Sequence, residues 1–207
     1  MTIELYTWGT PNGRKVSILL EELALAYSVH PVNIGKDEQF APDFLKISPN
    51  NKIPAIVDPD GPGGAPISVF ETGAILTYLA EKTGSDLWPK DLRQRTRVNE
   101  WLMFQMGGVG PMFGQANHFL HFNPGKSDYA EQRYRNEAHR LYGVLDRRLA
   151  ERPFLAGDAY SIADIATYPW VARREWHQIE LKTLPNVWRW FTDLGQREAV
   201  KKGMSVP

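Results

Sequence analysis

Ile47-Ser48-Pro49-Asn50-Asn51-Lys52-Ile53-Pro54-Ala55-Ile56-Val57-Asp58 is a polar turn that closes on a short apolar run, with a proline at the junction. Pro54 opens an apparent strand, and an X-Pro bond in so tight an approach tolerates the cis form at about 0.5–1 kcal/mol relative to trans. That geometry exposes the amide and carbonyl of Ile53. An extended peptide could pair with them as an added strand, while Lys52 offers a charge to a carboxylate. Taken alone, the same residues also read as an ordinary loop with a solvated lysine.

The elements around this stretch alternate in character. Ile3 to Thr7 is strand-like, Gly13 to Ala24 helical, Tyr27 to Val32 strand-like, and Phe40 to Ile47 fits a short helix. Pro54–Val57 and Ile67–Val69 then flank the turn-rich Asp58–Pro66, which reads as a hairpin loop, and Gly73–Lys82 is helical with Ile75, Leu76 and Leu79 on one side. The order β-α-β-α-β-β-α predicts an α/β unit of mixed parallel and antiparallel strands.

Gly84, Ser85 and Pro89 then break the helical pattern, and Trp88 is placed to anchor a linker. The expected division is an α/β domain over 1–83, a linker over 84–90 and an all-helical domain over 91–207. Helical patterns run over about Leu92–Met106, Tyr129–Glu151, Ile162–Gln178 and from Asn186 into the tail. Ser161-Ile162-Ala163-Asp164 is a capping box, with Tyr160 and Ile165 placed as a hydrophobic staple, and its role is folding. Pro169 removes one amide hydrogen bond inside that helix and should kink it.

Composition excludes several function classes. Twenty-four basic residues balance twenty-four acidic ones, which leaves no electrostatic footprint for nucleic acid or an anionic membrane. No apolar run approaches bilayer length, and the first residues lack a secretory pattern, so a cytoplasmic address is expected. Zero cysteines excludes a Cys-X-X-Cys redox pair, zinc-thiolate sites and iron–sulfur ligation, so any thiol chemistry must use a thiol from outside the chain. His118-X-X-His121 has helical spacing without a carboxylate or thiol to complete a metal set, and no metal is expected.

Two more segments can carry chemistry. In Thr10-Pro11-Asn12-Gly13, Thr is a favoured N-cap and Pro suits the first helical position, so the next amides point out of the helix end. A thiol held there, with the Thr10 hydroxyl and the Asn12 amide as donors, would fall below its ordinary pKa of about 8.5. Glu71-Thr72-Gly73 precedes the third helix; a carboxylate could sit on that helix end and on the Thr72 hydroxyl, with Glu71 accepting from an ammonium group. Together they suit an amino-acid head group, although each alone serves equally as a plain cap.

In order and spacing these segments resemble the glutathione-transferase fold, with a thioredoxin-like first domain and an all-α second domain. The resemblance spans nearly the whole chain. Thr10–Gly13, Ile47–Asp58 and Gly107-Gly108-Val109-Gly110-Pro111-Met112 resemble the bacterial Nu class of that family, to which the yeast nitrogen-regulator Ure2 domain is related. The resemblance implies that Thr10 and Asn12 face the glutathione sulfur. It implies further that Gln39 and Lys52 reach the glycyl end, that Ile53 makes backbone bonds beside Pro54, and that Glu71 and Thr72 hold the γ-glutamyl group. Arg133 matches an arginine that in this class lies near a second glutathione. Where tyrosine-type members carry a catalytic Tyr, this chain has Trp8, which has no hydroxyl, and Thr10 falls near the Ser of the serine-type members. Tyr6 belongs to the strand and reads as core. The resemblance therefore implies a homodimeric disulfide-bond reductase using two glutathiones or one glutathione disulfide as co-substrate. The alternatives are a transferase or peroxidase acting on electrophiles or hydroperoxides, or a non-catalytic glutathione-binding regulator.

Overall fold

The computed structural model describes residues 2–207, and Met1 lies outside the described residues. Two compact units emerge, one from the chain up to Ser85 together with Glu198–Pro207, the other from Asp86–Arg197.

In the first unit, β1 (Ile3–Thr7), α1 (Pro11–Glu22), β2 (Tyr27–Pro31), α2 (Pro42–Ile47), β3 (Ala55–Asp58), β4 (Ile67–Phe70) and α3 (Thr72–Thr83) follow in chain order. The sheet runs β2-β1-β3-β4, with β1 and β2 parallel and the other pairs antiparallel. A parallel pair needs a crossover, and α1 supplies it. β1 alternates as its sequence requires, with Ile3, Leu5 and Thr7 buried and Glu4 and Tyr6 only partly so. Central strand β3 instead buries Ala55 and Ile56 in succession, the pattern of a strand covered on both faces.

The tail, expected in the helical domain, belongs to the first unit. There α9 (Glu198–Ser205) lies against α1, and Ser17 Oγ donates to the Gly203 carbonyl at 2.7 Å. A Cβ on Gly203 would stand 2.5 Å from the backbone N and Cα of Ile18, so only glycine permits this approach. Periodicity marks the tail as helical but carries no information about which core receives it.

The second unit is helical: α4 (Leu92–Phe104), α5 (Gly110–Ala116), α6 (Asp128–Glu151), α7 (Ile162–Val171) and α8 (Pro185–Gly195). Gly107–Pro111 does not break the helix. A π-helical turn over Gln105–Val109 leads directly into α5, and the widened turn accommodates a proline that cannot donate. A second π turn spans Asn117–Phe122. The expected helix to Gln178 ends instead at Val171, after which Ala172–Gln178 form turns. Linker residues are tied to this unit, since Ile162 N donates to the Leu87 carbonyl at 3.2 Å and Arg95 lies 5.5 Å from the Trp88 ring.

The capping box is the polar centre of the helical unit. Fully buried Asp164 accepts from Ser161 N at 3.1 Å, Ser161 Oγ at 3.2 Å, Leu155 N at 3.0 Å and Trp190 Nε1 at 2.9 Å. Burial pushes its carboxyl up to about 6, against the pull of those donors. Asp164→Ala would strand several buried N–H groups, and we expect a loss of about 3 kcal/mol or more in urea unfolding.

Candidate active site

The sheet register brings the sequence-marked segments of the first unit to one end. Tyr6 pairs with Ala55, Ala55 with Phe70, and Thr7 with Pro31. Beyond these residues the chain leaves the sheet at the same end. Trp8–Asn12 follows β1, the segment carrying Gln39 follows β2, Lys52–Pro54 precedes β3, and Glu71–Thr72 follows β4.

At the start of α1, Thr10 has extended backbone and its hydroxyl accepts from Gly13 N at 3.2 Å. Asn12 is in the first turn, which contains no acidic residue to compete with a bound anion. The turn is tight: a Cβ on Gly13 would lie 2.3 Å from Thr7 Oγ1 and 2.4 Å from the Trp8 carbonyl. Tyr6 is engaged in packing, stacked on His30 with centroids 4.6 Å apart.

The Ile53–Pro54 bond is cis, the form that so tight an X-Pro approach tolerates. Pro54 is buried, Ile53 half-buried and Lys52 exposed. Ser48 Oγ donates to the Lys52 carbonyl at 2.8 Å, which pins the loop, and the ladder pairs of β3 begin at Ala55. Val32, Phe44 and Ala55 form the core beneath, with Tyr6, Ile47 and Ile53 packed against it. Gln39 Nε2 donates to Asp37 Oδ1 at 3.5 Å, while its Oε1 is buried and accepts no hydrogen bond.

At the start of α3, Glu71 takes φ 68° and ψ 119°, a left-handed backbone that a residue with a Cβ adopts only under constraint. The Glu71 side chain makes no capping hydrogen bond to this helix end. Asn50 Nδ2 donates to Glu71 Oε1 at 3.4 Å, joining the loop before β3 to the start of α3. Thr72 is buried, and its Oγ1 accepts from Lys15 Nζ at 3.3 Å.

Lys15 is the functional candidate that the sequence reading missed. It is 2 % exposed, and burial holds its ammonium down at a pKa of about 7, opposed by the Glu71 carboxylate. One readable signal existed, since Lys15 shares a helix face with Ile18 and Leu19, three and four residues on.

Arg133 lies in the second unit, exposed on α6. It lines a cavity of about 550 Å³ with Met112, Tyr129, Tyr134 and Arg140. Phe119 stacks on Tyr134 at 5.4 Å, and His121 stacks on Trp176 at 4.2 Å. Among the described residues no group of three or more His, Cys, Asp or Glu side chains could hold a metal, and no helix is long and apolar enough to cross a membrane.

Residues 1–81 match the family model "Glutathione S-transferase, N-terminal domain", and residues 109–198 match "Glutathione S-transferase, C-terminal domain". The disulfide-bond oxidoreductase YfcG of Escherichia coli K12 is 49% identical over 203 residues, covering 98% of this chain and 94% of that one. A glutathione transferase from Pseudomonas putida, solved with one glutathione disulfide per subunit, is 47% identical. Its TM-score is 0.93, over 100% of this chain and 92% of that one. A glutathione transferase from Burkholderia graminis, solved with two glutathione molecules per subunit, is 46% identical. Its TM-score is 0.93, over 100% of this chain and 88% of that one.

The left-handed backbone at Glu71 makes a separable prediction. Glu71→Gly removes the conformational penalty and should raise stability by about 1 kcal/mol in chemical denaturation, while removing the carboxylate from the site.

Proposed function

Because the chain belongs to the glutathione S-transferase family, we propose that it is a glutathione-dependent disulfide-bond reductase whose nucleophilic sulfur is carried by its substrate. The observation that carries this reading is the meeting of two helix N-termini and a cis-proline loop at one end of a four-stranded sheet, in a chain without cysteine. That combination suits a γ-Glu-Cys-Gly tripeptide and supplies no thiol of its own. The similarity to a protein named as a disulfide-bond oxidoreductase and to structures holding glutathione or its disulfide supports it further.

In this reading the α3 end, Glu71 and Thr72 hold the γ-glutamyl group, by charge-assisted bonds to its carboxylate and ammonium. Ile53, placed by Pro54, pairs with the cysteinyl backbone. Lys52 and Gln39 take the glycyl carboxylate. The sulfur then lies at the start of α1, where the Thr10 hydroxyl and the Asn12 amide favour the thiolate. Arg133 is assigned to a second glutathione.

A bound glutathione thiolate attacks one sulfur of the substrate disulfide, forming a mixed disulfide and expelling the other sulfur, which takes up a proton. A second glutathione thiolate resolves the mixed disulfide. In sum, two glutathione thiols are oxidised to one glutathione disulfide, and one substrate disulfide is reduced to two thiols. The chain's contribution is orientation and thiolate stabilisation. We read it further as a cytoplasmic Nu-class homodimer, a proposal compatible with edge strand β4, where Ile67 and Phe70 stand more than a third exposed.

Turnover of a small dialkyl disulfide by glutathione tests the reading. Turnover only of a chlorinated aromatic or a hydroperoxide would assign a transferase or peroxidase instead, and binding without any turnover would assign a regulator. Thr10→Ala should slow disulfide reduction by about two- to three-fold with little change in glutathione affinity. Lys52→Ala should do the reverse, weakening affinity by about three- to ten-fold in calorimetry while leaving turnover at saturation nearly unchanged.

A further inference from the structure

Lys15 has no part in the chemistry above, yet it is a cation buried where an aliphatic side chain would serve the fold. It lies in the second turn of α1 beside the fully buried Val16, Ile18 and Leu19. Helical side chains lean toward the N-terminus, which carries the ammonium back toward the first turn of α1. There Nζ donates to Oγ1 of Thr72, the first residue of α3. The ammonium thus lies toward the starts of two helices, each presenting the positive end of its dipole, and both oppose its charge.

Resting on the glutathione reading, we propose that Lys15 is a positioning residue for the γ-glutamyl carboxylate, its protonation state setting the direction of the Thr72 hydroxyl and hence the affinity of the site. An ammonium can only donate, so Thr72 Oγ1 must accept from it and turn its own proton toward a different acceptor. A carboxylate seated at the α3 end is such an acceptor. A neutral amine can instead accept the Thr72 proton, which turns the hydroxyl away and removes a positive charge at the same time.

Several of the charged groups on the neighbouring elements have partners of their own. Glu71, one residue before Thr72, acts on Lys15 directly. Arg14 precedes Lys15 on α1, and Glu21 of the same helix accepts from Tyr27. On β1, Glu4 pairs with His30; on β3, Asp58 is held by Tyr78 and Lys82; on α9, Glu198 pairs with Lys201.

With the ammonium held down to about 7 by burial, a carboxylate beside it favours the charged form, so ligand and proton bind together. Affinity should be greatest below pH 7 and fall as pH rises, by up to about ten-fold between pH 6 and pH 8.

The test is calorimetry of S-methylglutathione, which has no titrating thiol, at pH 6, 7 and 8 in buffers of different ionisation heat. We expect wild type to lose affinity as stated and to take up about half a proton per ligand at pH 7. Lys15→Met, and Lys15→Gln as a second variant, should bind more weakly and lose both the slope and the uptake, which subtracts any contribution from the ligand's own amine. Neither variant should melt below wild type at pH 6, because the charge serves the ligand and not the fold. Binding by wild type without proton uptake, or an equal slope in the variants, would overturn the role of Lys15 and leave the glutathione reading standing. No binding at any pH would overturn both.

Discussion

The pairing of Tyr6 with Ala55 and of Ala55 with Phe70 determines where the marked polar segments of the first unit can be. Four segments leave or enter the sheet at this end because β3 runs antiparallel to both of its neighbours. Side chains alternate with a period of two along each strand, so a slip of one residue in β3 would turn Ala55 and Ile56 over. It would also carry Ile53 away from the start of α1. The turn from β1 into α1 is equally constrained, since the approach of Gly13 to Thr7 and the Trp8 carbonyl leaves no room for a Cβ. Position in the site is thus a consequence of backbone register, and the side chains decorate it.

Two local costs sit at the same place. Glu71 is held at a positive φ, and Lys15 is buried as a cation. The folded pKa of Lys15, about 7, lies below its ordinary 10.5, so its burial disfavours folding most at pH values below 7. Stability from this group returns only as pH rises from about 7 toward 10.5. The surrounding structure carries these penalties through α1, whose Val16, Ile18, Leu19 and Leu20 are completely buried and which is clasped by α9 at Gly203. Neither feature improves the core, and both lie at the start of α3, where in the proposed reading a ligand carboxylate would offset the charge of Lys15. That is the expected pattern when strain is kept for binding.

Much of this was legible in the residues themselves. Thr10-Pro11 announces a helix start, Pro54 an awkward strand entry and Ser161–Asp164 a reciprocal cap, because each is a local solution to a local problem of backbone hydrogen bonding. The mixed sheet followed from the spacing of apolar runs. What escaped detection depends on distant partners. Gly203 reads as a weak point in a terminal helix until Ile18 is placed against it. The helix expected to reach Gln178 stops at Val171, and Ala172–Gln178 form turns in which Trp176 stacks on His121 and His177 bonds to Tyr142. Lys15 was not singled out, and its hydroxyl partner Thr72 stands in α3, which begins 57 positions later.

The absence of cysteine sets the energetic demands on the site. A helix end with one or two neutral donors stabilises a thiolate by about 1–3 kcal/mol, which lowers a thiol pKa by about one to two units. Starting from about 8.5, that raises the ionised fraction near neutrality from a few per cent to about half. The more stable thiolate is also the weaker nucleophile, so the gain in rate is smaller than the gain in ionised fraction. A single strong activator at the sulfur would therefore add little, and Trp8, which has no hydroxyl to offer, is a tolerable occupant of that neighbourhood. Holding a flexible tripeptide along its length so that its sulfur has one position can contribute far more than ionisation does. The proposed site follows that proportion: Thr10 and Asn12 would face the sulfur, and a longer series from Gln39 through Thr72 would hold the rest of the ligand.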